Sequence, residues 1–122
     1  APATTRLAVP GATAWTDTGV SVIAGQRVII EAADEVCSKG GSIDHCSGPE
    51  GQRKPSSYNV TGFDKSGHAG LIGAIGDTRF AVGRQLRFIA PASGHLLLGI
   101  NDRDVRDNRG SFAVRIDVMD AN

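Results

Sequence analysis

Apolar residues recur at alternate positions along much of this chain, and a period of two predicts strands. The stretch "TGVSVIAGQRVIIEAA" reads as two strands, about Val20–Ile23 and Val28–Ala32, joined as a hairpin through Gly25 and Gln26. "TRFAVGRQLRFIAP" repeats the form: Phe80 and Val82, a turn at Gly83, then Leu86, Phe88 and Ala90. The likeness of the two hairpins is too short to count as an internal repeat. "HLLLGIN" is a further apolar run. "SFAVRIDVM" sets Phe112, Val114, Ile116 and Val118 against Ala113, Arg115 and Asp117, which predicts one buried and one wet face. No segment carries a 3.6-residue stripe of helical length. Short strands separated by glycine-rich turns, with 16 glycines in all, predict an all-β fold, a sandwich or jelly roll.

Between the two hairpins, residues 34–68 form a long polar region, "DEVCSKGGSIDHCSGPEGQRKPSSYNVTGFDKSGH". A loop of that length inside a compact domain is usually functional or disordered. The chain has 122 residues and no break in composition, so a single domain over residues 13–120 is expected. The opening "APATTRLAVPG" reads as a linker remnant, covering residues 1–12. A domain of this size buries roughly two-thirds of the surface its unfolded chain exposes, so it needs no staple to fold.

Acidic and basic residues balance at 13 each, which argues against a nucleic-acid or anionic-membrane partner recruited by bulk charge. No apolar run reaches membrane-spanning length. Two cysteines, Cys37 and Cys46, flank "SKGGSIDH". Their spacing matches neither a CxxC redox motif nor a zinc knuckle, so a disulfide across the glycine-rich loop is expected. That bridge implies an oxidising, extracellular compartment.

Hydrolytic chemistry finds little support. Asp44 and His45 adjoin in sequence, but a triad requires convergence in space. "GGSIDH" lacks the second glycine of a nucleophile elbow. A non-enzymatic protein is expected. Aromatic readout is also poorly supplied, with one Trp, one Tyr and four Phe. Phe80, Phe88 and Phe112 fall on apolar strand phases. Trp15 suits core or surface, and Tyr58 lies in the polar region. No stacking platform can be assembled from that stock.

The chemistry concentrates in "NDRDVRDNRGSF", Asn101–Phe112, where Asp102, Asp104 and Asp107 alternate with arginines. Glycine at position six and glutamate at twelve are missing, so this is not an EF-hand. Calcium takes six to eight oxygen ligands, and a short loop can supply several. The loop holds no Cys or His, which argues against zinc or copper there. A solvated turn with exposed Asp–Arg pairs, each worth under about 1 kcal/mol, is the competing reading.

"GINDRDVRDNRGSFAVRI", with "GQRVIIEAA" and "GPEGQRKP" upstream, resembles the calcium-dependent galactose-binding lectins of the bacterial PA-I type. In that family a strand ends in Asn-Asp, a short loop delivers a pair of amide or acid residues, and a Gly-Ser-Phe turn opens the last strand. The matching residues here are Asn101-Asp102, Asp107-Asn108 and Gly110-Ser111-Phe112. The resemblance implies a small jelly-roll β-sandwich of the galactose-binding-domain-like kind. It also implies Ca2+ held by the side chains of Asp102, Asp107 and Asn108 and by backbone carbonyls near Val105 and Ser38. The sugar then places two vicinal hydroxyls on the ion, with Asp102 and Asp107 as further contacts. The family's sugar-contacting histidine precedes a proline, where this chain has Lys54 before Pro55; His45 lies in the same region. Arg53, Lys54 and Arg103 are candidate rim contacts, suited to an acidic glycan as well as to galactose. The implied protein is a secreted lectin, or a carbohydrate-binding module of a larger secreted enzyme. The alternative is an adhesive or structural sandwich whose calcium only stabilises loops.

Overall fold

A computed structural model describes residues 3–38, 45–52, 58–63 and 66–120. Two antiparallel sheets stack as a small β-sandwich, with no α-helix among the described residues. In chain order the strands are β1 (Ala3–Pro10), β2 (Trp15–Val22), β3 (Arg27–Cys37), β4 (Cys46–Ser47) and β5 (Leu71–Ile75). They continue with β6 (Thr78–Ala81), β7 (Gln85–Ile89), β8 (Gly94–Ile100) and β9 (Arg109–Met119). One sheet runs β1-β9-β3-β4, with β7 also on β3; the other runs β2-β8-β5-β6.

The core lies between the sheets. The alternation read in the last strand is present: Phe112, Val114, Ile116 and Val118 are buried, and Ala113 is exposed. They meet Val9, Val28 and Ile30 from their own sheet, and Val22, Leu71, Ile75, Leu96, Leu98 and Ile100 from the other. Each such side chain, fully buried, is worth about 1.5–3 kcal/mol. Phe80 and Phe88 pack against this core, ring to ring at 4.9 Å.

The structure differs from the sequence reading in three places. Neither expected hairpin exists. β2 pairs with β8, and β3 with β9, β7 and β4, so the turn at Gly25 carries the chain from one sheet to the other. The turn at Gly83 does the same, because β6 pairs with β5 and β7 with β3. Both edges of β3 are already occupied, by β9 on one side and by β7 and β4 on the other. Second, Ala3–Pro10, inside the stretch expected to be a linker remnant, is a strand paired with β9 from Ala3↔Val118 to Pro10↔Ser111. Third, "LIGAI" forms β5, which the alternation did not reveal because all five of its residues are buried. Ile72 and Ala74 are also buried, outside the main core cluster.

Candidate functional site

The segment 101–108 connects β8 in one sheet to β9 in the other, so it must cross one end of the sandwich. Antiparallel register brings further residues to that end. Beyond the last β3–β9 pair, Cys37↔Arg109, the next positions are Ser38 and Asn108. Beyond the β5–β8 pair Leu71↔Ile100, the amide of Asn101 donates to Gly70 O at 2.9 Å and that of Ala69 to Asn101 O at 2.9 Å. The amide of Gly11 donates to Gly110 O at 2.9 Å, which adds the β1–β2 connection.

The three aspartates of the loop have different fates. Asp102 is buried, 4% exposed, and its Oδ1 accepts from the amide of Asp104 at 2.9 Å. Asp104 turns outward and binds the guanidinium of Arg106 through both oxygens, at 2.9 and 2.8 Å. That hydrogen-bonded cation holds the Asp104 carboxyl down at about 2. Asp107 is exposed. The solvated-turn reading therefore describes Asp104 and Arg106, and it does not describe Asp102.

Asn108 is 1% exposed. Its amide hydrogen goes to Val105 O at 3.0 Å, and its Nδ2 donates to Gly11 O at 2.9 Å. Its Oδ1 is buried and has no hydrogen-bond partner. An unpaired buried acceptor costs about 1–3 kcal/mol, and native proteins rarely leave one without a reason. Gly110 follows closely at φ +87°, and a Cβ there would stand 2.5 Å from Glu35 O, so the Gly-Ser-Phe turn needs its glycine.

Ser38 is buried; its amide donates to His45 O at 2.8 Å, and its Oγ accepts from Gln52 Nε2 at 3.0 Å. The disulfide lies beside it: Cys37 and Cys46 are bridged and face each other in the β3–β4 pair. His45 is half-buried in this corner. Val105 packs its side chain partly against the core. Arg103 is exposed, and its amide donates to Tyr58 O at 2.6 Å. Arg53 and Lys54 lie outside the described residues.

Sequence reasoning gave no role to four residues here. Asn101, fully buried, accepts from Val60 N at 2.9 Å through Oδ1, while its Nδ2 reaches Phe63 O, Ser66 O and Gly67 O at 3.1–3.4 Å. It fastens Val60, Phe63, Ser66 and Gly67 to the site. His68 is buried, with Nδ1 2.8 Å from Asn59 Oδ1 and Nε2 3.8 Å from Asp102 Oδ2. Burial holds its imidazole below the usual range, against the pull of the Asp102 carboxylate. Gly51 and Gly67 allow the chain beside Gln52 to meet the chain beside His68. A Cβ on Gly51 would stand 2.5 Å from the Gly67 carbonyl carbon. Gln52 N then donates to His68 O at 2.8 Å. None of these contacts has a local sequence signal; only the polarity of residues 34–68 hinted at a functional region.

Tyr58 is exposed. Trp15 is half-buried, with Gly99 close against its ring and the Arg79 guanidinium 5.8 Å from the ring centroid.

No family model matches the sequence, and no curated protein matches it. Among solved structures the chain is similar to one described as "EclA N-terminal domain; PllA-like lectin", at 24% identity and a TM-score of 0.74. The match covers 93% of this chain and 94% of that one. At that identity and coverage, the likeness establishes a shared β-sandwich fold across nearly the whole chain.

Proposed function

We propose that this domain binds carbohydrate through a calcium ion held at the β8–β9 end of the sandwich. The observation that carries the reading is the buried, unpartnered Oδ1 of Asn108 beside the loop that buries Asp102. A lone buried acceptor and a buried carboxylate are what a hard, oxygen-seeking cation requires. The ion would be held by the side chains of Asp102, Asp107 and Asn108 and by the carbonyls of Val105 and Ser38. When bound, it supplies a Lewis-acidic centre for two vicinal sugar hydroxyls. The protein's own part is to preorganise the shell. Asp104 N fixes Asp102, Gly11 O fixes Asn108, and the disulfide fixes the strand end that precedes Ser38.

The structural neighbour is a lectin domain, a non-enzymatic kind of protein, which supports a binding role. Galactose or a related glycoside is the proposed sugar, with Arg103, Arg53, Lys54 and His45 as rim contacts that also suit an acidic glycan. The disulfide accords with a secreted protein.

Glycan-array binding with calcium and with chelator tests the reading, followed by calorimetry of calcium and then galactose. Asp102→Asn is expected to abolish sugar binding at micromolar calcium and to regain part of it at millimolar calcium, because shape survives and charge falls. Calcium binding without any glycan signal would favour the stabilising-calcium sandwich instead. Indifference to calcium would remove both readings.

A further inference from the structure

We propose that the free edge of β1 is a self-association surface, at which a second copy of this chain adds its own β1 in antiparallel pairing and makes one continuous sheet. Neither calcium nor sugar takes part.

One bond fixes the direction of the backbone groups of β1. Gly11 N donates to Gly110 O, continuing the ladder in which Pro10 lies opposite Ser111. Bonded and non-bonded pairs alternate in an antiparallel ladder, so Ala3, Thr5, Leu7 and Val9 bond to β9. Thr4, Arg6, Ala8 and Pro10 then turn their backbone groups outward, and the proline sits where it need not donate. Pro10 O already accepts from Thr13 N at 3.3 Å, so Thr4, Arg6 and Ala8 offer the open edge. Among the described residues no strand other than β9 pairs with β1. An unpaired edge is a template for another strand, and proteins usually blunt it. The other edges are blunted. β4, β6 and β7 have two, four and five residues, and β2 is interrupted by a register shift between Asp17 and Ser21. β1 has eight residues in unbroken register.

Charge selects a second copy as the occupant and sets its register. Arg6 is exposed and stands directly opposite Arg115, like charge against like charge. Arg115 is bound by Glu31 and Asp117, and among the described residues no ion pair reaches Arg6. A two-fold pairing joins the same outward residues on both copies. Arg6 opposite the copy's Arg6 would repeat the repulsion. Arg6 opposite the copy's Ala8 would meet no carboxylate, because Ala8 lies beside Ala113. Arg6 opposite the copy's Thr4 does meet one. Thr4 Oγ1 donates to Asp117 Oδ1 at 2.6 Å, and strands lie about 4.8 Å apart, so Asp117 is one strand beyond Thr4 and within reach of an extended arginine. Each copy thereby supplies a carboxylate for the other's Arg6, and the two-fold axis passes between the two Thr5 residues. The copies run in opposite directions, so their Gly11 ends, where Asn108 is fastened, point to opposite sides.

The test is sedimentation equilibrium of the intact chain from micromolar to millimolar concentration. Wild type is expected to form a reversible dimer toward the upper end, and a weaker one in high salt. Arg6→Glu should weaken that dimer at least about tenfold, because it sets a carboxylate against Asp117 across the interface. Its melting temperature should stay at or above that of wild type, because the new carboxylate faces Arg115. Arg6→Pro removes an outward donor and no bond to β9, so it should remain monomeric; if that variant does not fold, Arg6→Glu decides. Thr5→Cys should link two chains on mild oxidation, since a non-bonded antiparallel pair brings its Cα atoms to about 4.5 Å, and Ala8→Cys should not. A monomer at millimolar concentration, a dimer indifferent to Arg6→Glu, or equal cross-linking at positions 5 and 8 would overturn the proposal.

Discussion

The side-chain amide of Asn108 donates to the backbone carbonyl of Gly11, 2.9 Å away and 97 residues earlier in the chain. One bond ties the start of β9 to the turn after β1 and directs the other amide atom, Oδ1, into a buried position without a partner. The residue therefore has a structural half and a half suited to a ligand, and they can be separated by mutation. Asn108→Ala should lose about 1 kcal/mol of stability in chelator, the net value of one hydrogen bond. It should also lose the gain that saturating calcium provides, about 2.7 kcal/mol at a hundredfold excess over Kd. Urea titrations in calcium and in chelator measure both. An equal calcium increment in the variant would show that Oδ1 takes no part.

The disulfide closes a loop whose ends are nine residues apart, Cys37 to Cys46. Reducing it, or replacing both cysteines with serine, should cost on the order of 2–3 kcal/mol in the chain-entropy account. Ser38 follows Cys37 directly, so calcium affinity should fall as well. Calorimetry on the double variant checks this; unchanged affinity would take Ser38 out of the proposed shell.

Acid should weaken the fold through His68. Its folded-state pKa is depressed, chiefly by burial, below the unfolded value of 6.5. The neutral ring's contribution is thus fully present above about 6.5, the ordinary pKa of an exposed imidazole, and is lost as pH falls through the folded value. Wild type in chelator should lose stability between pH 7 and pH 5, and His68→Gln should lose less. Parallel pH profiles from denaturant midpoints would contradict this.

Gly110→Ala should destabilise the domain by roughly 1–3 kcal/mol, because the residue holds φ +87° and its new methyl would press on Glu35 O. Ala113→Ser, two residues from Ser111 on the exposed face of β9, should cost within about 0.5 kcal/mol. A drop of similar size in both variants would mean that the turn geometry is not the cause.

Much of the architecture is legible in the sequence. Alternation in "SFAVRIDVM" marked the buried face of β9, and the polar loop between "HLLLGIN" and that strand marked the candidate site. Periodicity, however, reports which side chains leave water, not which strand lies alongside. Val20–Ile23 and Val28–Ala32 looked like a hairpin because a tight glycine turn and two apolar phases serve equally well for a crossing between sheets. β5 escaped because a strand covered on both faces has no alternation to read.

The same distinction holds at the site. The sequence alone placed carboxylates, an amide and a Gly-Ser-Phe turn in one short loop, which is a local property of consecutive residues. It could not sort Asp102, buried, from Asp104, paired with Arg106 at the surface, because burial depends on what the other sheet brings. The loop itself holds no histidine or cysteine. His68, 34 residues earlier, lies beside Asp102 in a corner where Val60 and Gly67 are hydrogen-bonded to Asn101. Chemistry carried by neighbours in sequence was readable; chemistry assembled by register, sheet crossing and long-range hydrogen bonds was decided by the tertiary structure.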